Sequence, residues 1–552
     1  MVTVSGLRPS EKLSFLGTIA FAACGSCCVF FIATRWGALV YPTDWLKYLE
    51  AARGLIAGRG LSQPDGWGGY QPFAHFPPLF PFFVAGLAKM TGSSVEISVR
   101  ILNAWLLGVS SLLAWQVARG ANASPLVCAF AAVYVMGHPL FIQIHSEVLS
   151  EPLFICLLLA LCISFQMVAG LCTYRLVTVA GTLAAALCLT RYLGLAILPA
   201  AALFIALAAR NQGKSIGRFI VVFLAIATLP LILWSVRNQL VIGHMSTRNF
   251  GWHPPTWEVI CGGWRAVMYW LAPESLKFTG RGLIFGVFAS SCLGLLPWHG
   301  QLCHPALLWK VDYKTFWSTV WPFVWLSFSY CAILTLAMTF FDPGTPYDTR
   351  ILLPIFLLTG LGIILAAGRT GLRLRVFKTQ SARTPRGAVP WPNLRSLALL
   401  GLAACLALQL CRSVFWLQFA WRNGCGGYVS VRYHNSEALR WLGQCSPDTV
   451  IFSNDSAAVV YWLKRAAVQI PRRRVSISSL GFLGPAASSR GEQYTADMCR
   501  LRSIWQSAEG RSVLVWFSDP LIEAESLPTM SEVAAMVEAK EVTHLHDAVI
   551  LR

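Results

Sequence analysis

The first 418 residues hold few carboxylates, and three of them sit where they could do chemistry. Asp44 lies in Tyr41-Pro-Thr-Asp44-Trp45, and Glu147 and Glu151 lie four apart in His145-Ser-Glu147-Val-Leu-Ser-Glu151-Pro152. Acids in so apolar a stretch are costly near lipid unless they face water, a cation or a partner. Arg191, Arg237 and Arg350 stand at the ends of apolar runs, each opposing the charge trend of its surroundings. A guanidinium group matches a phosphate with two parallel hydrogen bonds, so an anionic lipid phosphate is one partner for them. Plainer roles stand beside these. Asp44 suits the cap of a following helix, and Glu151 before Pro152 suits a first helical turn. The arginines can snorkel or pair with an acid such as Asp348.

The elements that must position these residues are membrane helices. Of 552 residues 56% are hydrophobic and only 12% charged, with a mean hydropathy of +0.58; soluble proteins carry about a quarter charged residues. Apolar runs recur from Leu13 to Leu417 at about the 20-residue length that crosses a bilayer core. The expected fold is a polytopic α-helical membrane protein with about eleven spans and a small C-terminal α/β domain outside the cytoplasm. The spans are placed at 13–34, 97–118, 124–142, 150–169, 175–190, 192–209, 219–241, 281–298, 316–340, 350–368 and 396–418. Pro78 to Met90 is too short to cross and reads as a re-entrant or surface helix. The run Leu13–Thr34 is too long for a signal-peptide core and reads as an uncleaved helix. Most of the 17 cysteines fall inside apolar runs and act as small hydrophobes.

Charge sets the orientation. From Phe419 onward 14 Lys/Arg balance 13 Asp/Glu, which leaves 30 basic and 12 acidic residues for the preceding 418. The basic residues occupy short loops, so positive-inside topology explains the net charge of +19 and nucleic-acid binding does not. Arg119, Arg175, the Arg210/Lys214/Arg218 set, Lys310/Lys314 and the acid-free stretch from Arg369 to Arg395 all fall inside when the N-terminus is inside. That map puts Asp44, Glu147 and Glu151 on the outer face. The expected division is a membrane block over 1–418, with a first outer loop over 35–77, and an extracytoplasmic domain over 419–552. Within the latter, strands are expected at Thr449–Asn454, Ser512–Phe517 and Ala548–Leu551.

Taken in order, the loop motifs resemble the polyprenyl-phosphate-sugar-dependent glycosyltransferases of the GT-C superfamily, of the protein-mannosyltransferase and aminoarabinose-transferase type. The resemblance rests on Asp44 with Tyr48 and Ala51-Ala52, Gly58-x-Gly60 to Pro77-Pro78-Leu-Phe-Pro81, and Ser150-Glu151-Pro152-Leu-Phe154. It continues with Arg191-Tyr192-x-Gly194, Trp234-x-x-Arg237-Asn238, and Arg350-x-Leu352-x-Pro354. It implies a sugar donor on a polyprenyl phosphate and a glycan, lipid or protein acceptor, in the plasma (inner) membrane of a cell. Asp44 would be the general base of an inverting transfer. Arg191, Arg237 or Arg350 would stabilise the departing phosphate, and Tyr48 and His75 would belong to the substrate loop. Some relatives use a divalent cation, so magnesium or manganese at Glu147 or Glu151 is implied too. The oligosaccharyltransferase pattern has its two second-loop acids one residue apart; here they are four apart. A lipid or sugar transporter is the rival reading, but it calls for charges near the bilayer midplane and paired repeats. Here the acids sit in loops and no repeat is evident.

Overall fold

The computed structural model describes residues 8–245, 250–272, 313–341, 345–369, 394–473, 490–508, 510–521, 526–539 and 542–552. α1 (Pro9–Cys27) begins on a proline and widens into a π-helical turn over Cys28–Ala33. The first long loop then carries α2 (Asp44–Ile56) and a hairpin of β1 (Ser62–Pro64) and β2 (Tyr70–Pro72). α3 (Leu79–Thr91) and α4 (Val95–Gly120) meet at Gly92, whose φ of +67° lets the chain reverse at a position that would strain a side chain. At thirteen residues α3 reaches about 20 Å, short of a bilayer core of about 30 Å.

α5 (Pro125–Gly137) and α6 (Pro139–His145) are one apolar segment bent by 51°. The bend sits where Pro139 lacks an N–H and pushes His138 into extended backbone. α7 (Glu151–Gly170), α8 (Tyr174–Thr190) and α9 (Leu198–Asn211) follow, with a 3₁₀ turn over Tyr192–Ile197 between the last two. Then come α10 (Ile216–Ile242), α11 (Trp257–Leu271), α12 (Tyr313–Phe340), α13 (Leu353–Arg369) and α14 (Leu394–Asn423).

The chain is a multi-pass membrane protein. Among the described residues seven helices are long and apolar enough to cross a membrane, or eight with the bent pair. The expected spans 175–190 and 350–368 are shorter apolar helices, Tyr174–Thr190 and Leu353–Gly368, and 281–298 lies outside the described residues. α14 carries on past position 418 as one rod to Asn423.

Beyond it, the C-terminal segment folds around a five-stranded mixed sheet in the order β4-β3-β5-β7-β6. It contains α15 (Val431–His434), α16 (Glu437–Gly443), β3 (Val450–Ser453), α17 (Ser456–Leu463), β4 (Val468–Gln469) and α18 (Arg490–Ser507). It closes with β5 (Ser512–Phe517), α19 (Met530–Val537), β6 (Val542–His544) and β7 (Ala548–Leu551). Alternation along the strands gives the sheet two apolar faces. Ile451, Val513, Val515 and Ile550 join the core that runs on into the membrane helices. Phe452, Leu514 and Leu551 join a separate core under α18 and α19.

Candidate active site

Asp44 is the first residue of α2, after Thr43 at the cap position. Its carboxylate does not close the helix end. It accepts a hydrogen bond from Nη1 of Arg350 at 3.1 Å instead. Arg350 sits in the turn before α13, shaped by Asp348, whose Oδ1 accepts from the Ile351 N–H at 2.7 Å. Nε of Arg350 also lies 3.5 Å from Oε1 of Glu151, and that same carboxylate oxygen pairs with Arg191. Glu151 opens α7 and Arg191 closes α8, so helix termini bring the charges together. Four of the segments singled out by their charge thus meet in one chain: Asp44, Arg350, Glu151, Arg191.

Exposure divides the four. Glu151 keeps 3% of its side-chain surface, Arg191 15%, Arg350 17% and Asp44 25%. Glu151 is therefore the buried anchor for two guanidinium groups, and Asp44 is the most exposed of the four. Burial alone would raise the Asp44 pKa. The positive charges of Arg350, Lys47 and His75, with the Arg350 hydrogen bond, outweigh it and hold Asp44 below the usual carboxylate range. Lys47 lies one helical turn past Asp44, its ammonium 5.7 Å from the Phe76 ring. Burial lowers its pKa while Asp44 opposes the shift. Tyr48, the next residue, is fully packed among Phe73, Phe76 and Phe80, and its hydroxyl lies 3.1 Å from Ser150 Oγ. The His75 ring rests on Phe76 at 4.3 Å.

Two expected site residues stand apart from the charge chain. Glu147 accepts from the indole N–H of Trp45 at 2.9 Å, and the Trp45 ring lies under the Arg350 guanidinium at 5.0 Å. Desolvation pushes the Glu147 carboxyl up to about 7. Its backbone is tied to the first loop, where Leu39 donates to Ser146 at 2.8 Å and accepts from Val148 at 3.0 Å. Arg237 grips the end of the first loop, donating to the Phe73 carbonyl at 2.9 Å and to Asn238 Oδ1 at 3.0 Å. Asn238 and Tyr192 both donate to the Ala74 carbonyl, at 3.4 and 3.5 Å. The Trp234-x-x-Arg237-Asn238 motif therefore holds the loop segment that carries His75.

Lys47 and Trp45 escaped the sequence reading. The signal was there in the i, i+3, i+4 spacing of Asp44, Lys47 and Tyr48, which puts them on one helix face. A divalent cation does not fit the donor set as arranged. Among the described residues no three His, Cys, Asp or Glu side chains converge, and a cation at Glu151 would have to displace two guanidinium groups.

The architecture is a fold shared with a membrane protein of solved structure. The crystal structure of ArnT from Cupriavidus metallidurans bound to undecaprenyl phosphate matches 97% of this chain and 98% of its own, with a TM-score of 0.56 and 12% identity. The archaeal oligosaccharyltransferase AglB from Archaeoglobus fulgidus, in complex with an inhibitory peptide and a dolichol-phosphate, matches 92% of this chain and 70% of its own. Its TM-score is 0.48 and its identity 12%. No protein-family model matches the sequence, and no curated protein does.

Proposed function

We propose that this protein transfers a sugar from a polyprenyl-phosphate donor to an acceptor hydroxyl at the outer face of the plasma membrane, with inversion. One observation carries the reading. An open carboxylate, Asp44, is linked through Arg350 to a buried carboxylate that also holds Arg191. The arrangement pairs a proton acceptor with cations suited to a phosphate, at loop ends where a lipid-borne headgroup would sit. The ArnT structure was solved with undecaprenyl phosphate bound, a ligand of the class proposed here.

In the proposed step the acceptor oxygen bonds to the anomeric carbon and the bond from that carbon to the phosphate oxygen breaks. The acceptor proton passes to Asp44, and polyprenyl phosphate leaves with one more negative charge. Arg350 and Arg191 offset that charge, and Lys47 adds a third cation beside Asp44. Ground-state Asp44, held by Arg350, is a weak base. A donor phosphate competing for Arg350 loosens that hold and raises the basicity of Asp44 when the acceptor needs it. On this reading the site, and the C-terminal segment with it, lie outside the cytoplasm, in keeping with the basic residues of the short loops.

The test is sugar transfer in proteoliposomes with a panel of labelled polyprenyl-phosphate monosaccharides, run with and without a chelator. Expected are turnover of one donor, insensitivity to the chelator, and loss of turnover in Asp44→Asn with donor binding retained. Movement of labelled lipid between leaflets without sugar transfer would replace this reading by the transporter.

A further inference from the structure

The helix that begins with Asp44 ends against the C-terminal segment. Arg53, in the last turn of α2, is nearly buried, with 10% of its side chain exposed. It pairs with Glu50 of its own helix at 2.5 Å and with Glu96 at the start of α4. Those two acids anchor it, and its remaining reach goes to α17. Its Nη1 donates to the Val460 carbonyl at 3.3 Å and its Nη2 to the Tyr461 carbonyl at 3.2 Å. These carbonyls belong to the last turn of α17, where Val460 also accepts from the Lys464 N–H at 3.1 Å and where a helix end favours a cation. At the other end of α17, Asp455 accepts from the Ala458 N–H at 3.4 Å. The strut thus has an acid at its start and a guanidinium at its end.

Two more joints link the same pieces. The turn of the β1–β2 hairpin adds to the edge of the C-terminal sheet, with the Gly66 carbonyl accepting from the Gln469 N–H at 2.9 Å and Trp67 bridged to Val468. The Trp67 side chain packs into the core under α18, where Arg500 covers its ring at 4.4 Å. Four residues before Asp44, the Val40 carbonyl accepts from the Tyr428 N–H at 2.9 Å. The loop that carries Asp44, Lys47 and Tyr48 is therefore held by the C-terminal segment before α2, at its end and at the hairpin beyond it.

We infer that the C-terminal segment is a working part of the active site, a clamp that fixes α2, and that Arg53 is the positioning residue through which it holds Asp44. The inference rests on the transferase reading for its catalytic half only. Arg53 touches no reacting atom. It sets the axial position and tilt of a helix whose first residue must meet an acceptor oxygen, and a displacement of about 1 Å at such a site lowers rates by about 100-fold.

The experiment uses the full chain in proteoliposomes and compares wild type with Arg53→Met, Arg53→Lys and Trp67→Ala. Hydrogen–deuterium exchange over 44–56 is read beside kcat and KM for the donor. Exchange over α4 and α5 serves as the check that each variant is folded. Expected in Arg53→Met are faster exchange in α2, a fall in kcat of about 10- to 100-fold and a donor KM within about 3-fold of wild type. Arg53→Lys should restore part of kcat, and Trp67→Ala should loosen α2 to a smaller extent from the hairpin side. Unchanged exchange in α2 of both Arg53→Met and Trp67→Ala overturns the clamp. Faster exchange with kcat unchanged overturns the positioning role. If wild type turns over no donor, the transferase reading fails alone, since the exchange comparison still decides the clamp.

Discussion

Two aspartates show how differently one side chain can be used in this molecule. Asp44 is a quarter exposed, is balanced by cations, and sits below the ordinary carboxylate range. Asp455, in the C-terminal segment, is fully buried and accepts from four neutral donors among the described residues. The hydroxyls of Tyr428 and Tyr433 donate to it at 2.6 and 3.0 Å, and the Leu521 and Ala458 N–H groups at 3.2 and 3.4 Å. Burial raises the Asp455 pKa more than those four bonds lower it, and the net shift is upward. A buried carboxylate that takes four neutral hydrogen bonds holds a structure together. One balanced by charge and left open can exchange its partners for a substrate.

Asparagine at each position separates the two roles. Asp44→Asn should lower kcat by about 1,000-fold, within the usual range for a general base, with thermal stability close to wild type. Asp455→Asn should leave turnover per folded molecule within about 3-fold. It should cost about 1–3 kcal/mol of stability, because one of the two tyrosine hydroxyls loses its acceptor. A thermal melt beside a single-turnover rate checks both, and a reversal of the two phenotypes would undo the comparison. Next in size is Arg350→Met, expected to lower kcat/KM by about 100-fold through loss of phosphate stabilisation. It should also shift the acid limb of the pH profile upward. The base must be deprotonated, so activity is lost as pH falls through its pKa, and Arg350 is the strongest influence holding that pKa down.

Glu147 gives a smaller effect with its own sign. Its folded pKa of about 7 lies above the ordinary glutamic value. Between those two values the folded state binds more protons than the unfolded state, so its contribution to stability falls as pH rises through the window. Glu147→Gln should therefore flatten the decline of the melting temperature between about pH 5 and 7, relative to wild type. An unchanged slope would mean that Glu147 is already ionised in the fold and that Trp45 is held by a charge.

Asp44, Glu151, Arg191 and Arg350 could be picked out from the sequence because each is a charge set against an apolar background, where it needs a partner. Which partner was less evident. Asp348 was the neighbour in sequence for Arg350, yet the hydrogen bond found goes to Asp44, 306 positions away. Arg237 carried the same charge signal, and it donates to the Phe73 backbone carbonyl, a contact that side-chain type cannot reveal. The long spans were legible by hydropathy. Segments near 17 residues were not, since a helix such as Tyr174–Thr190 leads directly into a 3₁₀ turn and the next helix. The union of the first loop with the C-terminal segment had no local mark at all. Arg53 reaches Tyr461 across 408 positions, and its target is a main-chain oxygen that every residue possesses.

Tyr48 sharpens the comparison most finely, because it sits between the open acid and the buried one of the charge chain. Its hydroxyl spans from α2 to Ser150 at the start of α7, beside Glu151. If it is a spacer, Tyr48→Phe removes one neutral hydrogen bond and leaves the aromatic packing against Phe73, Phe76 and Phe80 in place. The cost is then about 1 kcal/mol of stability, with kcat and KM within a few-fold of wild type. A sugar contact would behave differently. Loss of a hydroxyl that binds the donor would raise KM by about 10-fold or more while the melting temperature stayed put. Donor KM and the melting temperature of Tyr48→Phe, taken from one preparation, decide whether Tyr48 belongs with the supports of the site or with the surface that meets the sugar.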